Sequence, residues 1–130
     1  MKFLDLNGLK HLLKFIDRTV SVANSKYPSD NIPFITNHQI IKMDKSAGID
    51  VINWLRGASE GGILEIVFAG GQGGDLKCIE SGKSLIYKMD MGDEGPELQN
   101  LSHLALAYNK YVRLIKSDGK LLVIEDVTNN

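Results

Sequence analysis

Beyond residue 38 the chain falls into short apolar runs separated by glycine-bearing turns, and this punctuation constrains the fold more than any other feature. Ile40, Ile41 and Met43 open the series, and Ile49, Val51, Ile52, Trp54 and Leu55 continue it. Gly61-Gly62 then leads into residues 63–69. There Leu64, Ile66 and Phe68 alternate with Ile63, Glu65, Val67 and Ala69, the period-two pattern of a strand with two unlike faces. The glycines of 70–74 predict a turn. Residues 76–79 and 85–89 form two further runs about Glu80-Ser81-Gly82-Lys83, and a polar loop at 92–96 precedes the run 101–108. Asn109-Lys110 turns the chain into 111–115, and Asp118-Gly119 before Leu121, Leu122, Val123 and Ile124 signals a hairpin. Runs spaced in this way predict a mainly β domain of sandwich, barrel or prism type. No alternation of strands with long helices follows, which disfavours the nucleotide-binding α/β folds.

The first residues carry a different period. Leu6, Leu9, Leu13, Ile16 and Val20 recur at spacings of three and four, with Leu12 and Phe15 widening the stripe. This heptad spacing predicts an α-helix over 3–22, with Asp5 or Asn7 capping its first turn. The stripe suits either packing on the chain's own domain or an intermolecular helical bundle. Pro28 and Pro33 punctuate the polar stretch that follows, and proline denies a helix its backbone donor. The expected organisation is therefore an N-terminal anchoring or oligomerisation helix over 1–23, a linker over 24–37, and a β-rich domain over 38–130.

Charge and composition narrow the function classes. Fifteen basic and sixteen acidic residues leave a net charge of −1, which disfavours nucleic acid as a partner. The sequence holds no apolar run long enough to span a bilayer, and Asp5, Lys10, His11 and Lys14 interrupt any leader-like stretch. Neither membrane association nor secretion by a leader is expected. Cys78 stands alone, so no intrachain disulfide forms and a buried structural thiol is expected.

Motifs that could carry chemistry have structural readings that fit better. Glycines 70–74 join two strands and no helix follows to bind an anion at its N-terminus. Gly82-Lys83-Ser84 resembles the tail of a phosphate-binding loop, but Lys77 occupies the place where the motif needs glycine. His11, His38 and His103 have no partner at metal-ligand spacing, and Asp90, Asp93, Glu94 and Glu97 miss the calcium-loop pattern. No catalytic, cofactor or metal site is expected. Among the aromatic residues, Trp54, Tyr108 and Tyr111 could offer faces to a sugar ring, with Trp54 and Tyr111 the candidate glycan contacts.

Two stretches carry a family resemblance. Phe3-Leu4-Asp5-Leu6-Asn7-Gly8-Leu9 resembles an opening found at the N-termini of bacteriophage structural and fibre proteins, notably in phages of gut bacteria, including the crAss-like group. The strand Gly62-Ile63-Leu64-Glu65-Ile66-Val67-Phe68 and the close at 104–115 are similar to phage fibre and spike domains. The chain departs from that pattern at Lys110-Tyr111-Val112, where those domains often carry glycine followed by Trp-Tyr, so no one subfamily is singled out. The resemblance implies a homotrimer anchored through its N-terminus to capsid or tail, a β-prism-like body standing on a short helical bundle. On this reading Leu6, Leu9, Leu13, Ile16 and Val20 form the trimer seam or the anchor. The chain is then expected to be a non-enzymatic head fibre or capsid-decorating protein of a virion, its β domain projecting towards the host surface and its glycans. The alternatives are a tail-fibre or baseplate component, or a carbohydrate-binding module.

Overall fold

In the computed structural model the described residues are 17–22, 31–43, 48–68, 74–106 and 109–128, the first group for backbone only. They are mainly β, as the punctuation predicts. The strands are β1 (Asp17–Val22), β2 (His38–Met43), β3 (Gly48–Asp50), β4 (Ile63–Phe68), β5 (Gly74–Lys77), β6 (Ile79–Glu80), β7 (Lys83–Ser84), β8 (Ile86–Gly92), β9 (Gly95–Leu101), β10 (Leu104–Leu106), β11 (Lys110–Ser117) and β12 (Lys120–Thr128). One short helix, α1 (Ile52–Gly57), lies between β3 and β4.

Seven of these strands make one mixed sheet in the order β1-β2-β4-β11-β12-β8-β9. The pairs β1–β2, β2–β4 and β12–β8 are parallel, and β4–β11, β11–β12 and β8–β9 are antiparallel. A three-stranded sheet β10-β5-β3 and the small hairpin β6-β7 complete the described strands. The link between the parallel neighbours β2 and β4 passes through β3 and α1, so this crossover supplies part of the second layer, which β5 and β10 complete.

One core joins the two layers. Ile41, Met43, Leu64, Ile66, Phe68, Val112, Leu114, Leu121, Val123 and Ile86 face inward from the large sheet. Ile32, Ile49, Val51, Ile52, Trp54, Leu55, Leu76, Cys78, Leu104 and Leu106 meet them from the other side. In β4 the alternation holds residue by residue: Leu64, Ile66 and Phe68 are buried, while Ile63 and Glu65 are half-buried and Val67 is exposed. Cys78 is buried, as expected of a structural thiol, and burial pushes its thiol pKa up to about 12.

Two expectations are corrected. Asp17–Val22, read as the last turns of an N-terminal helix, is a strand that runs in register with β2 from Asp17↔His38 to Val22↔Met43. Val20 lies opposite Ile41 in that ladder and so is not part of a helical seam. Thr19, Val20 and Val22 are β-branched, and pairing along six residues of a neighbouring strand outweighs a local heptad of only two repeats. Leu6, Leu9, Leu13 and Ile16 lie outside the described residues. The second correction is at 52–57, where a strand was expected. Val51, Ile52, Trp54 and Leu55 are all buried, a spacing that only a helix can turn to one side, and Asp50 starts it by accepting a 3.0 Å hydrogen bond from the Ile52 N–H.

The end of the segment read as a linker is also packed on the body. Ile32 is fully buried and its N–H donates to the Asp50 carbonyl at 3.1 Å. The buried Gln39 side chain ties this stretch down, accepting from the Ile35 N–H at 2.8 Å and donating to the Pro33 carbonyl at 2.9 Å.

Candidate functional site

The two faces of the large sheet differ. Its inner face is covered by the second layer, whereas nothing among the described residues covers the outer one. Strand alternation and register place His38, Ile40 and Lys42 of β2 on this open face, beside Ile63, Glu65 and Val67 of β4. Tyr111, Arg113 and Ile115 of β11 continue the rows, followed by Leu122 and Val127 of β12. The face sets Ile40, Ile63, Val67, Ile115, Leu122 and Val127 beside Lys42, Glu125 and one ionic knot.

Glu65 is the centre of that knot. His38 Nε2 lies 2.5 Å from one carboxylate oxygen, and the Tyr111 hydroxyl donates to the other. Burial works against the Glu65 charge, but these hydrogen bonds and the nearby positive groups outweigh it and hold its carboxyl below the usual range. Tyr111 responds in the opposite sense: burial, and donation to Glu65, push its hydroxyl up to about 12. Arg113 stands alongside, its Nε buried and without a hydrogen-bond partner among the described residues. The group is a fixed polar mark on an apolar surface, with its donors and acceptor mostly directed at one another.

At the sheet edge the open face continues onto the β8–β9 hairpin. β12 accompanies β8 only from Ile86 to Lys88, because Ile124 bulges out of the β11–β12 ladder just beyond. The rest of β8 and β9 therefore projects as a two-stranded arm. On its open side Met89 lies opposite Leu98 and Met91 opposite Pro96. Met89 is 51%, Met91 72% and Leu98 50% exposed. The other side of the arm carries Lys88, Asp90, Glu97 and Gln99, with Lys88 3.7 Å from Asp126. Such an arm is amphipathic in the manner of a strand pair that expects a second layer, and none of the described residues supplies one.

The sequence-derived glycan contacts separate. Trp54 is fully buried in α1, with its indole N–H donating to the Thr36 carbonyl at 3.0 Å, so neither ring face can meet a sugar. Its place in the core follows from the helical spacing that the strand reading of 49–55 overlooked. Tyr111 is half-buried on the open face and engaged with Glu65. Gly82-Lys83-Ser84 belongs to a hairpin turn, where Ser81 and Gly82 adopt φ of 51° and 77°. Asp90, Asp93, Glu94 and Glu97 surround the arm's tip. The arm itself went unnoticed in the sequence, although Met89, Met91 and Leu98 at alternate positions about a polar turn were a signal for it.

Comparison with known proteins returns no matching family model, no matching curated protein and no matching solved structure.

Proposed function

We propose that the chain is a non-enzymatic structural subunit of a bacteriophage virion, a homotrimeric head fibre or capsid-decorating protein that assembles through the open face of its sheet. The observation that carries this reading is the set of exposed apolar side chains Val67, Val127, Met89, Met91 and Leu98 on the outer side of the sheet and its arm, which nothing among the described residues covers. Solitary soluble domains rarely leave an apolar patch of more than a few hundred Å² in contact with water. Three sheets turning such faces towards a common axis would form a three-sided prism and remove those side chains from solvent. The β edges at β1 and β9 would lie at the seams, where strand edges otherwise invite uncontrolled pairing.

The virion setting comes from the sequence resemblance of 3–13 and 61–115 to phage fibre proteins. In this reading residues 1–16, with Leu6, Leu9, Leu13 and Ile16, attach the subunit to a capsid or tail protein. Gold-labelled antibody against the chain, applied to purified particles, tests it. Regularly spaced label on the heads is expected; label on the tail would move the subunit to a tail fibre or baseplate. Particles that carry none of the protein would overturn the virion reading altogether.

A further inference from the structure

We propose that a groove at the base of the arm, walled by Tyr87, is a saccharide-binding site. The groove encloses about 470 Å³ between the β6–β7 hairpin and the start of β8–β9, within the range of small-molecule sites. Ile79, Leu85 and Tyr87 supply its apolar wall, and Lys83, Asn100 and Ser102 its polar groups. It lies at the end of the sheet, away from the rows on β2, β4 and β11, and belongs to one copy. The inference thus goes beyond the structural role and needs no assembly to hold.

The groove's acceptor is fixed before any ligand arrives. Asn100 Nδ2 donates to both the Ser84 carbonyl at 2.9 Å and the Ile86 carbonyl at 3.2 Å. Two acceptors on one side dictate which end of the amide is nitrogen, so Oδ1 is left as an acceptor without a partner among the described residues. Ser84 is itself held, its Oγ donating to the Leu101 carbonyl and accepting from the Ile86 N–H at 3.3 Å. The exposed Lys83 ammonium stands nearby as a donor, and so does the Ser102 hydroxyl, which in the free chain lies 3.2 Å from His103 Nδ1 and must turn from it to reach a ligand. Gly82, at φ 77°, turns the hairpin without placing a side chain across the mouth.

Tyr87 has a cation against its ring. Lys120 Nζ sits 5.0 Å from the ring centroid, and Lys120 and Tyr87 both line a second, smaller depression of about 190 Å³ that the groove does not share with Lys120. Tyr87 thus lines both depressions.

This combination selects a ligand class. A divalent cation would need carboxylates, and none lines the groove; a phosphate would need more than one cation, and Lys83 is the sole charged group there. A sugar ring pairs an apolar C–H face with hydroxyls that donate and accept, which suits an aromatic wall beside one fixed acceptor and two donors. Because the acceptor is already ordered, little entropy is lost in using it.

The test uses the full-length chain labelled with nitrogen-15. It is titrated with the methyl glycosides of glucose, galactose, N-acetylglucosamine and galacturonic acid, and followed by amide spectra. At least one probe should shift the Asn100 side-chain amide and the Lys83 and Ser102 backbone amides, with millimolar affinity. Tyr87→Ala and the surface change Lys83→Ala should each weaken that binding about tenfold, while Tyr111→Ala leaves it unchanged. No shift of those resonances with any probe overturns the proposal. So does binding that both groove variants retain in full, or that only Tyr111→Ala removes. The oligomeric state of the same sample separates this from the assembly reading: a monomer that binds sugar sinks assembly alone, and a trimer that does not bind sinks the groove alone.

Discussion

Glu65 shows how a single residue links the sheet's pattern to its behaviour in acid. Alternation puts its side chain on the open face, and β2 and β11 bring His38 and Tyr111 to either side of it. Its carboxyl is held below the ordinary value of 4.5 in the folded chain. Ionised Glu65 therefore contributes stability above that value, and the contribution fades as pH falls through the lower folded value. Thermal unfolding measured from about pH 7 to about pH 3 should show a falling midpoint on the acid side. Glu65→Gln should flatten part of that fall, and an unchanged acid slope would mean that Glu65 is not its source. The face that Glu65 occupies could be read from the sequence, since Leu64, Ile66 and Phe68 define the buried side of β4. Its partners could not, because Tyr111 is 46 residues away along the chain and meets Glu65 only through the β4–β11 register.

Among the elements, the hairpins were the most legible, because their turns are decided by local backbone chemistry. Asp118 and Gly119 adopt φ of 55° and 73°, the left-handed pair that a two-residue turn between twisted strands requires. Glu60 then accepts from both of their N–H groups, at 2.8 and 3.2 Å, and those hydrogen bonds hold its carboxyl below the usual range. Gly119→Ala introduces a side chain at positive φ and should cost about 1 kcal/mol. Chemical denaturation measures that loss, and no loss would mean that the turn relaxes to another type. The elements misread were those whose identity is settled at long range. Residues 17–22 satisfy two periods at once, since Val20 ends a heptad while Val20 and Val22 also alternate; the β2 edge decides between them. Val51, Ile52, Trp54 and Leu55 form an apolar cluster too short for periodicity to separate helix from strand. The arm carries its own prediction. Met89→Glu with Met91→Glu changes two exposed side chains, so the stability of a single copy should stay within about 0.5 kcal/mol while self-association is lost. A variant that still assembles like the parent would place the interface elsewhere.

At the scale of the whole molecule, the described residues form a two-layered β domain in which they cover one face of the large sheet and leave the other open. The inner face of the large sheet has α1, the β10-β5-β3 sheet and residues 32–36 against it, and Ile41, Met43, Leu64, Ile66, Phe68, Val112, Leu114, Leu121 and Val123 are buried there. The outer face has apolar rows, a fixed ionic mark at Glu65, and an arm that prolongs the same surface past the body. That asymmetry is what the proposed assembly rests on. The sequence could announce a mainly β domain, because its turns are written locally. It could not announce which face stays open, because that depends on which strands become neighbours.

The mass of the full-length chain in solution, by light scattering coupled to size-exclusion chromatography at micromolar concentration, tests the account most directly. A trimer built on the open face gives a particle three times the mass of one chain, reduced to a single chain by Met89→Glu with Met91→Glu. A parent protein that runs as one chain at every concentration, with its open face in water, would contradict it.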